Sequence, residues 1–372
     1  MNVVYRNMIS LLRAALHNEA PVLSCSDSRD WELLLEACER HVVTVLAREG
    51  LRRCAEQPDE AILQKWNVAK EKAIYHAVAL EAERSYLFDA LKQNEIEYLP
   101  LKGSVLKGLY PCFGMRQMVD VDVWVFDEKR SAVRDIVTER GYDTVRYGAG
   151  HHDVYQKMPV CFEIHGSLFD NGEAPRFFEY FKSLKLQAVD EYERRLSDED
   201  FYLYLIAHLY HHFYQAGVGI RSLLDCFVFL RCKGKTMDLR YLSNELRKLD
   251  LTDFEQEIRS LAFKLFDVRP NPLTDREEEL LDLFGRAGAV GSVEVMVKQR
   301  VDRLRKANKD SKWSYYKSRL FLSYEWFEDH LPFYARHRWL IPAYYVFRFF
   351  RAILFRRKSL KTELEALKKE SI

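Results

Sequence analysis

The chain has 372 residues, 48% of them hydrophobic and 30% charged, a composition that excludes wholesale disorder. At roughly 150 residues per domain it has room for two or three lobes and can bury a large core without staples. Its 57 basic and 56 acidic residues leave a net charge of +1, which excludes a uniformly basic nucleic-acid coat but not a local patch.

Residues 1–95 read as an N-terminal helical region. Apolar side chains recur three and four apart in Met8-Ile9-Leu11-Leu12, in Trp31-Leu33-Leu34-Leu35 and across Ala73–Leu91. Arg6 and Arg13 interrupt the first apolar stretch, and no small-residue cleavage site follows it, so no secretory leader is expected. Ser28 or Asp30 is expected to cap the second helix.

The texture changes at Ile96. Ile96–Leu101 is short, apolar and β-prone, and it ends at Lys102-Gly103-Ser104, followed by a helical Val105–Tyr110. Val119–Val125 is the clearest two-residue alternation in the chain. Lys129–Arg140 reads as a helix that stops at Gly141, and Thr144–Tyr147, Asp153–Lys157 and Val160–His165 read as three more strands. The fold class expected is therefore α+β and mainly helical, with an α+β core over 96–190 between helical regions at 1–95 and 191–372.

From Ser197 the chain turns helical again, with Ser197–Asp200 resembling a capping box in which Asp200 replaces the usual Glu or Gln. Phe201–Ile220 lacks Asp, Glu, Lys and Arg and is long enough to span a bilayer. It also holds His208, His211, His212 and Gln215, which favours a buried helix. The seven cysteines are odd in number and form no CxxC pair, which points to reduced thiols and a cytoplasmic protein. Between Arg336 and Lys361 eight basic residues interleave with seven aromatic ones and no acid. Three readings stay open for this tail: packing on the core with snorkelling arginines, contact with an anionic membrane surface, or RNA binding through phosphates and stacking. Pro342 is expected to break or start a helix there.

Asp120 and Asp122 stand two apart in a strand, so they share a face while the alternate valines take the other. Paired carboxylates on an apolar strand repel and lose hydration, costs that a divalent cation offsets; hard oxygen ligands suit Mg²⁺ or Mn²⁺. The plain alternative is an edge strand with a wet face. Two neighbours argue against it. Lys102-Gly103-Ser104 is a glycine turn between strand and helix, where backbone N–H groups can meet phosphate. Cys161–His165 alternates so that Glu163 and His165 share a face, making Glu163 a third carboxylate if the two strands adjoin.

Other patterns carry less. His208 with His211 or His212 has helical metal-ligand spacing, but no HExxH accompanies it, and packing or substrate contact is the default reading. Arg221 and Asp225 stand four apart and read as an intrahelical pair. Gly234-Lys235-Thr236 lacks the upstream glycine of a P-loop, where Phe229 stands, and Gly148-Ala149-Gly150 lacks the third glycine of a dinucleotide fingerprint.

The order strand, Gly-Ser turn, helix, Asp-x-Asp strand and later acidic strand resembles the DNA polymerase β-like nucleotidyltransferase superfamily. More closely, the chain resembles the bacterial "uncharacterised nucleotidyltransferase" family. The stretches that carry the likeness are Leu101-Lys102-Gly103, Gly114-Met115-Arg116 with Val119–Asp122, Phe162–His165, and His208-x-x-His211-His212 with Gly219–Asp225. The resemblance implies a small mixed-sheet core and two-metal nucleotidyl transfer from an NTP, with ATP chosen for its abundance. Asp120, Asp122 and Glu163 would hold the Mg²⁺ or Mn²⁺, and Glu163 would also help activate the acceptor hydroxyl. Gly103 and Ser104 would cradle phosphate oxygens, and Lys102 and Arg116 would neutralise the triphosphate. His165, Arg221 and Asp225 would touch substrate or support the site. Fifteen residues separate Ser104 from Asp120, more than the common superfamily spacing. The acceptor is open among small molecules, peptide or protein side chains and RNA ends. A non-catalytic nucleotide- or RNA-binding module on the same fold is the competing reading.

Overall fold

The three- and four-residue apolar spacing of the N-terminal region folds into four helices: α1 (Val3–His17), α2 (Ser28–Arg40), α3 (Thr44–Leu51) and α4 (Glu60–Gln93). The computed structural model describes residues 3–269, 271–289, 291–306, 314–317, 321–322, 324, 327–328, 331–355 and 357–369. The cap of α2 is Asp27, whose carboxylate accepts from the Asp30 N–H, and not Ser28 or Asp30. Asp30 instead accepts from the N–H and hydroxyl of Ser26, and Ser28 donates its hydroxyl to Asp59. Gly50 lets α3 lie directly on α1, because a Cβ there would stand 2.0 Å from the Leu11 carbonyl oxygen.

At 1.5 Å per residue, the 34-residue α4 is about 50 Å long. It serves two cores in turn. Ile62 and Trp66, near its start, join the core of the helical part. Leu80, Leu87, Phe88 and Leu91 join a second core beneath the sheet.

That sheet has five strands, β1 (Tyr98–Pro100), β2 (Val121–Val125), β3 (Asp143–Arg146), β4 (His152–Lys157) and β5 (Val160–His165), in the order β1-β2-β5-β4-β3. β2 and β5 run parallel and the other neighbours antiparallel, so the sheet is small and mixed. Between the strands lie α5 (Gly103–Leu106) and α6 (Arg130–Glu139). Val121, Val123 and Val125 face α4 and α6 with Phe162 and Ile164, each fully buried. The alternation stops at the strand's first residue: Val119 lies outside it and is 43% exposed.

After α7 (Pro175–Lys182) the chain returns to helices: α8 (Asp198–Gln215), α9 (Ile220–Lys233), α10 (Leu239–Lys248), α11 (Thr252–Phe266), α12 (Asp275–Ala287) and α13 (Val293–Lys306). Ser197 caps α8 by accepting from the Asp200 N–H. Leu11 and Leu12 of α1 share one apolar core with Leu261 of α11 and Phe284 of α12, so helices from either side of the sheet segment build the same body; Val297, Val301, Tyr315, Ala366 and Leu367 form a separate small cluster. The molecule is thus α+β and mainly helical. All seven cysteines are free. Among the described residues no helix is long and apolar enough to cross a membrane.

In the tail, Pro342 stands in the first turn of a helix, Ile341–Phe355. Tyr344 packs edge-on against Phe327, and the Tyr345 hydroxyl bonds the Leu322 backbone. Phe347, Phe349 and Phe350 remain exposed. These contacts tie the start of this helix to Leu322 and Phe327 and leave the exposed phenylalanines without an account.

His41, fully buried, joins the two helical ends. Its Nε2 lies 3.0 Å from the Gly285 carbonyl oxygen and its Nδ1 accepts from the Ile220 N–H, capping α9 where Gly219 has no side chain to do so. That pair of bonds needs a neutral ring, and burial lowers its pKa from 6.5 to about 4. The unfolded chain therefore binds this proton more tightly than the folded one. The stability involved is complete above about pH 6.5 and falls as the pH drops towards 4. Denaturant unfolding of wild type and His41→Gln at about pH 7.5 and about pH 5 measures it. Wild type is expected to lose about 2 kcal/mol more than the variant over that interval. Equal losses would remove His41 as the cause.

Candidate functional site

The sheet face opposite the valines carries the chemistry. β1 ends at Pro100, and Lys102 turns the chain with φ at 42°, a left-handed conformation that costs a non-glycine residue about 1–3 kcal/mol. The turn aims Lys102 back across the sheet, where Nζ donates to Asp122 Oδ1 at 2.6 Å. The parallel register sets Asp122 directly beside Glu163, and Trp124 beside His165. His165 Nε2 donates to the same Asp122 Oδ1 at 2.9 Å, because a carboxylate can only accept. Glu163 Oε2 lies 3.7 Å from that Nε2. Asp120, half-buried, precedes the first residue of β2.

Burial and mutual repulsion divide these acids. Burial raises Asp122, but Lys102 and His165 outweigh it and hold its carboxyl well below the usual range. Burial and the Asp122 charge push Glu163 up to about 8, and the same two causes raise Asp120. Lys102 is lowered by burial but raised more by Asp122, so it stays charged. Burial brings His165 down to about 4, so its ring is neutral at pH 7.

Helices close the site from the other side. The Tyr204 hydroxyl of α8 is buried without a hydrogen-bond partner, and burial raises its pKa; Lys102 is its strongest charged neighbour. His208 and His212 lie one turn apart with ring centroids 4.2 Å from each other and planes tilted by 52°. Both rings are pushed down, His212 to about 3, by burial. His211 Nε2 stands 3.5 Å from Glu173 Oε2.

The glycine turn is built differently from a bare phosphate loop. The Ser104 N–H donates to the Leu101 carbonyl, while the Ser104 hydroxyl is buried without a hydrogen-bond partner. Gly103 is held tight, since a Cβ there would meet Met118 Cγ at 2.9 Å and an Arg116 nitrogen at 3.1 Å. Arg116 itself is spent on Asp225 of α9. Its Nε and one terminal nitrogen donate to the two carboxylate oxygens at 3.0 and 2.8 Å, and its third nitrogen to the Gln117 carbonyl. The Tyr110 hydroxyl also donates to Asp225. The expected Arg221–Asp225 pair on one helix therefore does not form. The long-range partner wins because it offers a bidentate fork in a buried place, and Arg221 donates to the Gln117 carbonyl instead.

Two histidines escaped the sequence reading. His151 and His152 lie at the start of β4, and the β4–β5 register sets His152 opposite His165. The His-His doublet was the available signal, obscured by the glycines just before it.

The donor set fits a divalent cation. Asp122, Glu163 and His165 each bring one ligand atom within 4.8 Å of the others, and Asp120 is close enough to Asp122 to be raised by its charge. The proton retained on Glu163 and the ammonium held on Asp122 now supply positive charge that such a cation would supply, and oxygen donors suit Mg²⁺ or Mn²⁺.

A family model described as "Uncharacterised nucleotidyltransferase" matches residues 27–267, well over half the chain. No curated protein and no solved structure matches significantly.

Proposed function

The chain belongs to the uncharacterised nucleotidyltransferase family, and on that premise we propose that it moves a nucleoside monophosphate from an NTP, with ATP the first donor to test, to a hydroxyl or phosphate acceptor. One observation carries the reading: the parallel β2–β5 register that sets Asp122 against Glu163, with Asp120 just upstream and Lys102 bonded to Asp122. Bound Mg²⁺ or Mn²⁺, two ions in the proposed form, would be held by Asp120, Asp122 and Glu163 and would neutralise the triphosphate and the attacking and leaving oxygens.

The chain's own groups do the rest. His165 holds Asp122 in place through its Nε2–H. Lys102, on a strained turn, brings an ammonium to the phosphates and leaves Asp122 free to ligate. The unpartnered Ser104 hydroxyl is placed for a phosphate oxygen. Arg116 fixes α9 to the segment before β2, and Arg221, held on the Gln117 carbonyl and attracted by Asp120, would be the second cation of the site. Glu163, losing its proton to solvent as a cation binds, would then be a carboxylate able to help activate the acceptor hydroxyl. The helices α8 and α9 shape the acceptor side with Tyr204 and His208.

Pyrophosphate release from each of the four NTPs with Mg²⁺, in buffer and in cell extract, tests the proposal. Release that needs both extract and Asp122 is expected. Nucleotide binding without release in either medium would favour the non-catalytic binding module.

A further inference from the structure

Three histidines meet at the rim of the site, two of them unused by nucleotidyl transfer. His152 opens β4 with His151 just before it, and His165 closes β5 opposite His152. One ring nitrogen of each lies within 4.8 Å of the other two. A neutral imidazole has one N–H and one lone pair, and the partner on its far side decides which nitrogen has which. On His165, Nε2 is committed to Asp122 Oδ1, so Nδ1 carries the lone pair. That Nδ1 is buried without a hydrogen-bond partner, in a residue only 2% exposed. On His151, Nδ1 faces the buried Asp170 carboxylate at 3.6 Å. This leaves His151 Nε2 turned towards His152 Nδ1, 3.2 Å away. His151 thus has a carboxylate behind Nδ1 and its Nε2 towards His152, and His165 has a carboxylate behind Nε2 and an unpartnered Nδ1, a backing of the kind that orients metal-binding histidines.

We propose that His151, His152 and His165 form a binding site for a divalent transition-metal ion of the Zn²⁺ class, adjoining the carboxylates, with His165 bonded to Asp122 and His152 Nε2 3.8 Å from Glu163 Oε2. Imidazole nitrogens suit Zn²⁺, Co²⁺ or Ni²⁺, whereas Mg²⁺ takes oxygen. The ion would tie the start of β4 to the end of β5. The inference needs only the three rings and does not depend on nucleotidyl transfer.

Arg146 competes for this site. Its guanidinium lies against His152 Nε2. A donor there keeps the His152 ring proton on Nδ1, where it bridges to His151. Ligation through Nδ1 moves that proton to Nε2, so Arg146 must swing away. The Arg146 Nε is itself buried without a hydrogen-bond partner, so nothing at that atom resists the movement.

The full chain, stripped of metal and titrated with Co²⁺ in millimolar Mg²⁺, reports on the site through equilibrium dialysis and the visible absorption of nitrogen-ligated Co²⁺. One equivalent is expected to bind, and Zn²⁺ is expected to displace it. His151→Ala and His152→Ala are expected to weaken binding at least about tenfold while circular dichroism stays unchanged. Arg146→Ala is expected to tighten it, a change of sign that a damaged fold does not produce. Substituting the exposed Cys112 and Cys232 by Ser is expected to leave binding as it was. The site is overturned by displacement of Co²⁺ by Mg²⁺, by full binding in the doubly substituted histidine chain, by loss with the cysteines, or by weaker binding in Arg146→Ala.

Discussion

Asp122→Asn is expected to lower kcat/KM for nucleotidyl transfer by on the order of 10³-fold or more, because metal-held charge stabilises such transition states by several kcal/mol. The substitution is nearly isosteric. The amide oxygen can still accept from Lys102 or from His165, the two donors that now share Asp122 Oδ1. Position is therefore kept while the negative charge is lost. Lys102 keeps Glu163 and Asp120 as neighbouring acids, so the chain is expected to remain folded, as far-UV circular dichroism and the thermal midpoint would show. Pyrophosphate release at matched protein concentration is the readout. Retention of more than about a tenth of the wild-type rate would remove Asp122 from the chemistry. Loss of folding together with rate would send the question to Asp120→Asn, which has no hydrogen bond to Lys102 to break.

The largest stability effect is expected at the Arg116–Asp225 pair. Their side chains are only 8% and 5% exposed. Breaking a buried pair by removing one member leaves the other charge uncompensated, at a cost of about 3–5 kcal/mol. For a domain stable by about 5–15 kcal/mol that is a large share. Asp225→Ala strands Arg116 and also takes the acceptor from the Tyr110 hydroxyl. Arg116→Ala leaves Asp225 with the Tyr110 hydroxyl and the more distant charge of Arg221. Denaturant unfolding of the two single variants and the double variant separates the pair from its parts: each single loss is expected near 3–5 kcal/mol, and the double loss is expected to be far below their sum. Additive losses, or single losses under about 1 kcal/mol, would mean that the pair is not what fixes α9 to the segment before β2.

Much of the fold was legible along the chain. Val160–His165 was expected and observed with the same ends, and the other strands shifted by three residues or fewer at either end. Short apolar runs with two-residue alternation identify themselves, because burial on one face of a sheet demands that pattern. The reading overran at Ile96, Glu97 and Leu101 around β1, at Tyr147 after β3, and at Val119 and Asp120, where the alternation continues but the pairing has not begun. Helix caps were less legible. Asp27, Ser28 and Asp30 are all good capping residues, and the choice fell on Asp27 through the path of the chain before the helix.

The sequence by itself determined that Asp122 lies in a strand opposite the valines, and that Glu163 and His165 share a face of another; Asp120, expected in the same strand as Asp122, stands just before that strand. These are local properties of period-2 backbone, readable without knowing what lies beside it. Only the tertiary structure decided that the two strands are parallel neighbours in the register Asp122 against Glu163. It alone brought Lys102 onto Asp122, Arg116 onto Asp225 in place of Arg221, and His151 and His152 beside His165. Lys102 and Asp122 are 20 residues apart and Arg116 and Asp225 are 109 apart, while His151 and His152 reach His165 across the β4–β5 pairing. Spacing along the chain says which side chains share a face. Which faces meet is set by how the two apolar cores close, and that is a property of the whole chain at once.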